Sequence, residues 1–188
     1  ALSPLLGKIR LLQLCLDGRD VVVLDAELCS LQPVIMALHK KDICGQNLKF
    51  DFKMILSQWP DYESGEIFDT MIAHKIHMTS IRVGYQPADL KSIVSYWLKV
   101  DLSKEHGADD WSGQITPEMF KYAYLDVLHL PEIVERQTQA INKASVVNIK
   151  TPYAGLTDKV ATLEMQFVEA LARVELDRKI TGLDSSNT

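Results

Sequence analysis

The spacing of apolar residues changes period repeatedly along the first sixty positions. Ile9 to Leu16 (IRLLQLCL) and Val21 to Leu24 (VVVL) are aliphatic and β-branched runs, and Asp17-Gly18-Arg19-Asp20 between them is a turn signal. The pattern predicts a β-hairpin. Leu31 to His39 takes up helical spacing, and Asp42 to Gly45 (DICG) is a short apolar segment that reads as a third strand. From Asn47 to Leu56, Leu48, Phe52, Ile55 and Leu56 fall on one side, opposite Lys49 and Lys53. A helix therefore starts straight from the strand at Gly45-Gln46-Asn47. Strand, strand, helix, strand predicts an α/β sandwich with a mixed sheet.

Further along, Asp69 to His77 and Pro87 to Val100 read as helices, the second with Pro near its first turn and Leu90, Ile93, Val94, Trp97 and Leu98 facing inward. Met78 to Gln86 reads as the loop between them. Lys104 to Gly113 is polar, and Thr116-Pro117 then supplies an N-cap followed by proline at the first helical position. Pro131 should bend or break the helix that begins there, because it lacks the N–H that the preceding turn needs. Val146 to Leu156, with Pro152 and Gly155, interrupts the periodicity before Val160 to Leu176 resumes it as an amphipathic helix.

Composition narrows the class. The chain has 188 residues, 47% hydrophobic and 24% charged, which suits one core plus a short appendage. No apolar run approaches the ~20 residues of a membrane span, and the first residues lack the pattern of a secretory signal, so a cytoplasmic protein with no membrane partner is expected. Cys15, Cys29 and Cys44 form no C-x-x-C pair and read as reduced packing residues. A formal net charge of -5 does not advertise a polyanion binder, yet an acidic site that holds divalent cations meets phosphate through the metals.

Two acidic positions have settings that suggest chemistry. Asp51 lies one helical turn after Asn47, and Asp126 one turn after Tyr122, so each pair shares a helix face. Such spacing is common on solvated faces, and the surrounding text is what distinguishes these two. GQNLKFDF around Asp51 resembles the second exonuclease motif of family A DNA polymerases. KYAYLD, ending at Asp126, resembles the Y-x-x-x-D motif of the DEDDy subgroup. Ile67-Phe68-Asp69-Thr70-Met71 resembles the family's FDTM segment, and DDWSGQITPEMFKYAYLDVLHLPEI also resembles ribonuclease D.

The resemblance covers about the first three quarters of the chain and implies a ribonuclease H-like exonuclease fold: a mixed sheet flanked by helices, lacking its first strand, plus a C-terminal helix. It implies two Mg²⁺ or Mn²⁺ ions roughly 4 Å apart, hard cations that oxygen ligands suit. Asp51 and Asp126 would be metal ligands, Tyr122 would orient the attacking water, and Asn47 and Leu2 would contact the terminal nucleotide. The family's D-x-E motif is missing. Asp25-Ala26-Glu27 fits its form but follows the IRLLQL strand, whereas the family's motif precedes it, so the catalytic reading of Asp25 and Glu27 is set aside. The chain therefore reads as cut just after that motif, and little or no activity is expected of it alone.

Leu163 to Asp184 resembles the segment by which these polymerases enter the thumb. The expected division is an exonuclease domain over 1–145, a linker over 146–158 and the thumb-like helix over 159–188. The expected substrate is a single-stranded 3′ end of DNA, with a polymerase domain as partner in a parent protein and proofreading as the role. RNA trimming of the ribonuclease D type and a non-catalytic nucleic-acid-binding fold are the alternatives. Trp111, in its polar loop, is a candidate substrate contact. The five histidines show no zinc-site spacing and read as surface or core residues.

Overall fold

The computed structural model describes residues 7–180 except 17, 82, 103–110, 112 and 148–156. The chain order is β1 (Leu11–Cys15), β2 (Val21–Asp25), α1 (Gln32–Leu38), β3 (Ile43–Gly45), α2 (Leu48–Gln58), β4 (Ile67–Asp69), α3 (Thr70–Ser80), α4 (Leu90–Leu98), α5 (Pro117–Leu128), α6 (Leu130–Val147) and α7 (Thr157–Ile180). Among the described residues no helix is long and apolar enough to cross a membrane.

Strands form two separate pairs. β1 and β2 are the expected hairpin, antiparallel, with Leu12 opposite Leu24. β3 runs parallel to β4, a three-residue strand inside the FDTM segment, with Gly45 opposite Asp69. The mixed character is thus divided between an antiparallel ribbon and a short parallel ladder. The β3–β4 connection carries α2, as a parallel crossover requires.

Leu31, Ile35, Leu48, Phe52, Leu56 and Tyr62 make the main core, joined by Val168, Ala172 and Leu176 of α7. α7 packs along α2 and α3 and reaches β4. Its outer turns are fastened by ion pairs from Glu175 to Lys49 and Lys53 at 2.7 and 2.9 Å. Arg173 adds hydrogen bonds to the Pro60 and Tyr62 carbonyls and to Glu169, and Glu169 accepts from the Ser64 amide and hydroxyl. A second core joins Ile93 and Val94 of α4 to Leu102 and Ile133, with Leu90, Trp97 and Leu98 against it.

Three expectations need adjustment. Pro87 lies outside α4, whose N-cap is Asp89, with the carboxylate accepting from the Ser92 amide at 3.2 Å. α3 runs on to Ser80, so the loop after it starts at Ile81. Cys29 and Cys44 are exposed, not packed, Cys44 because strand alternation turns it away from the face of buried Gly45. All three cysteines are free thiols. Pro131 does end one helix and begin another, since α5 stops at Leu128 and α6 starts at Leu130.

Candidate active site

The β3–α2 turn is held from several directions. Gly45 ends β3 where a side chain would run into Leu48, so the chain turns tightly there. Asn47, the N-cap of α2, has φ 56° and ψ 44°, a left-handed conformation that Asn adopts more readily than other side-chain-bearing residues. Asp69 at the end of β4 is 1% exposed and reaches into this turn. Its Oδ1 accepts from the amides of Asn47 (3.2 Å) and Met71 (2.9 Å), and its Oδ2 from that of Leu48 (2.8 Å). One carboxylate therefore caps α2 and α3 together, where the first-turn N–H groups lack partners and the helix dipoles favour negative charge. Thr70 Oγ1 donates to the Gly45 carbonyl at 3.1 Å, and Gln46 Nε2 donates to the Ala88 carbonyl at 2.8 Å.

Asp51 follows one turn into α2. The residue keeps solvent access, while stripping of water by dense packing around it pushes its carboxyl up to about 7. Its own backbone hydrogen bond opposes the rise and nearby Asp69 adds to it. That desolvation outweighs the favourable helix N-terminus.

Tyr122 and Asp126 sit one turn apart on α5, which crosses the β1–β2 hairpin. Thr116 caps that helix, accepting from the Met119 amide at 3.2 Å, so the predicted start is correct. Asp126 is half-buried, and desolvation pushes its carboxyl up to about 6. The Tyr122 phenol is raised by burial first and then by the Asp126 charge. Trp111 packs on Tyr122, with ring centroids 6.0 Å apart and planes at 51°.

Neither Asp51 nor Asp126 forms an ion pair among the described residues, whereas Asp25, Glu27, Glu169 and Glu175 each do. Arg10 takes both Asp25, at 3.0 Å, and Glu27, which occupies the Asp-x-Glu set aside above. Two desolvated carboxylates without counter-charge suit a divalent cation. The structure brings Asn47 near Asp51 and Tyr122 near Asp126, but no hydrogen bond or ion pair among the described residues joins the two pairs. Nor is there a cluster of three or more metal-ligating side chains among them. Leu2 lies outside the described residues.

A profile of 3′-5′ exonucleases matches residues 2–142. The chain belongs to this 3′-5′ exonuclease family. Within the family it is similar to DNA polymerase I of Aquifex aeolicus, 31% identical over 179 residues, which are 90% of this chain and 30% of that polymerase. The chain thus spans under a third of that relative's length. Among solved structures, Brucella melitensis NrnC superposes with a TM-score of 0.77 at 19% identity, over 94% of this chain and 80% of NrnC. Escherichia coli RNase D, an exoribonuclease involved in structured RNA processing, gives 0.60 at 21%, over 84% and 40%. NrnC has also been solved bound to pGG and with Mg²⁺. At these identities the likeness establishes the fold, a ribonuclease H-like exonuclease architecture.

Asp69 is the residue of this site whose part the sequence reading missed. It was legible only as a member of FDTM, because its partners lie 22 and 21 positions away.

Proposed function

We propose that this chain is a 3′-5′ exonuclease unit that shortens single-stranded 3′ ends of DNA, in a proofreading role beside a polymerase domain. The carrying observation is the pair of desolvated, unpaired carboxylates at Asp51 and Asp126, within a chain of the exonuclease family. Asp51 and Asp126 would hold Mg²⁺ or Mn²⁺, which when bound lowers the pKa of water and balances charge on the phosphate and the leaving 3′ oxygen. Asn47, in its fixed left-handed turn, positions the terminal nucleotide. Tyr122, held between Trp111 and the Asp126 turn, orients the attacking water by its hydroxyl. Leu2 completes the contact with the terminal nucleotide. Hydrolysis adds water across the terminal phosphodiester, releasing a nucleoside monophosphate and a shortened strand with a free 3′ hydroxyl.

A two-ion site calls for more protein carboxylates than Asp51 and Asp126 supply. The test is release of nucleotides from 5′-labelled single-stranded DNA and RNA in Mg²⁺ and in Mn²⁺. It compares this chain, Asp126→Ala, and both with an Asp-x-Glu strand fused ahead of Ala1. Cutting that the added strand raises and Asp126→Ala reduces at least about 100-fold supports the proposal. Cutting indifferent to Asp126→Ala overturns it. Preference for RNA would support the ribonuclease D type of trimming, the second reading, which the DDWSGQITPEMF text favours. Absence of cutting from every version would support a non-catalytic nucleic-acid-binding role.

A further inference from the structure

Among the described residues, the segment between α3 and α4 is fastened at both ends, while its middle makes no side-chain hydrogen bond or ring contact. The Val83 amide donates to the Met78 carbonyl at 3.1 Å. At the other end the Ala88 carbonyl accepts from Gln46 Nε2 at 2.8 Å. Gln46 immediately precedes Asn47, so this end is tied to the turn from which Asp51's helix starts. It lies at the carboxyl end of the parallel β3–β4 pair, the end at which open α/β sheets bind ligands.

Tyr85 stands in this middle part. At 94% it is the most exposed large hydrophobic side chain among the described residues, and none of their ring contacts involves it. Three Cα–Cα steps separate it from Ala88, a reach of about 10 Å at most. A tyrosine ring offers a flat face on which any base stacks. Charge makes such a face more useful here. With a net charge of -5 the chain has little general attraction for phosphates, so a strand is better held through its bases.

We propose that Tyr85 is a stacking platform for a nucleobase of the bound single strand, one upstream of the terminal nucleotide. The proposal rests on the exonuclease reading of the Asn47–Asp51 turn. It assigns a specificity contact that follows base size and not the phosphate backbone.

The test is a fluorescence-anisotropy titration of the full chain in EDTA with a labelled oligo(dA) and with an abasic strand of equal length. Tyr85→Ala and Tyr85→Phe are compared with the parent, and circular dichroism checks each fold. Tyr85→Ala should weaken oligo(dA) binding about five-fold or more and leave the abasic strand unaffected, while Tyr85→Phe stays within about two-fold of the parent. Unchanged oligo(dA) binding by Tyr85→Ala overturns the platform, as does an equal loss on both strands. If the parent binds neither strand and releases no nucleotide, the exonuclease reading fails and the platform with it. If the parent binds both strands and only the Tyr85→Ala effect is missing, the platform alone fails.

Discussion

Asp69 shows how much one buried carboxylate can organise. It satisfies first-turn amides of two helices and, because it is enclosed, water cannot replace it. Asp69→Ala should lower stability by about 2–3 kcal/mol, since each lost cap costs about 1 kcal/mol and the orphaned amides stay buried. Urea unfolding followed by circular dichroism measures this, and a change below about 0.5 kcal/mol would contradict the shared cap. Asp51 and Asp126 behave in the opposite way, because they gain no partner in exchange for the water they lose. The sequence distinguished these two acids from their many neighbours through the words around them, GQNLKFDF and KYAYLD, and not through spacing. Physical chemistry adds the reason that only the fold supplies: desolvation without a counter-ion. The left-handed turn at Asn47 was likewise illegible, because Asn is compatible with several backbone states.

At the level of elements, the helices were readable because each buries one face of its pattern. The breaks at Thr116-Pro117 and Pro131 were readable because proline leaves little choice. β4 was not readable. Three residues are too few to show a period, and Ile67–Asp69 is a strand only because Ile43–Gly45 lies beside it. The attachment of α7 was equally hidden in its periodicity, which shows that a face is buried but not against what. Here the face of Val168, Ala172 and Leu176 enters the main core, while Glu175 ties the helix to α2 at the surface. These two fastenings should differ in strength. Ala172 has 0% exposure, so Ala172→Leu overpacks the contact and should cost about 1–3 kcal/mol. Glu175→Ala removes partly exposed ion pairs and should cost about 1 kcal/mol or less. Thermal or urea unfolding of the two variants decides the order, and a larger loss in Glu175→Ala would show that α7 is held by charge and not by its core face.

For the whole molecule, stability against pH reports on the site without any substrate. A carboxyl whose folded pKa lies above its unfolded value of about 4 stabilises the fold fully below that value. The contribution is lost as pH rises through about 6 for Asp126 and about 7 for Asp51. His74 and His77 slope the other way, since burial lowers both: their contribution is present above about pH 6.5 and lost as pH falls. The Trp97 indole donates to His74 Nδ1 at 3.1 Å, a bond that protonation there would remove. The double variant Asp51→Asn with Asp126→Asn isolates the carboxylates. Its stability advantage over the parent should grow between about pH 4 and 8, and excess Mg²⁺ at the upper end should raise the parent but not the variant. Denaturant titrations across that range test both statements, and parallel curves for parent and variant would contradict them.

The common anchor at Asp69 also limits how the molecule can breathe. An ordinary helix frays at its first turn independently of its neighbours, on a fast and local scale. Here α2 cannot release the Leu48 amide without disturbing the carboxylate that holds Met71 at the start of α3. Opening at the edge of the site is therefore a joint event of two helices, rarer than simple fraying and felt along both of their lengths.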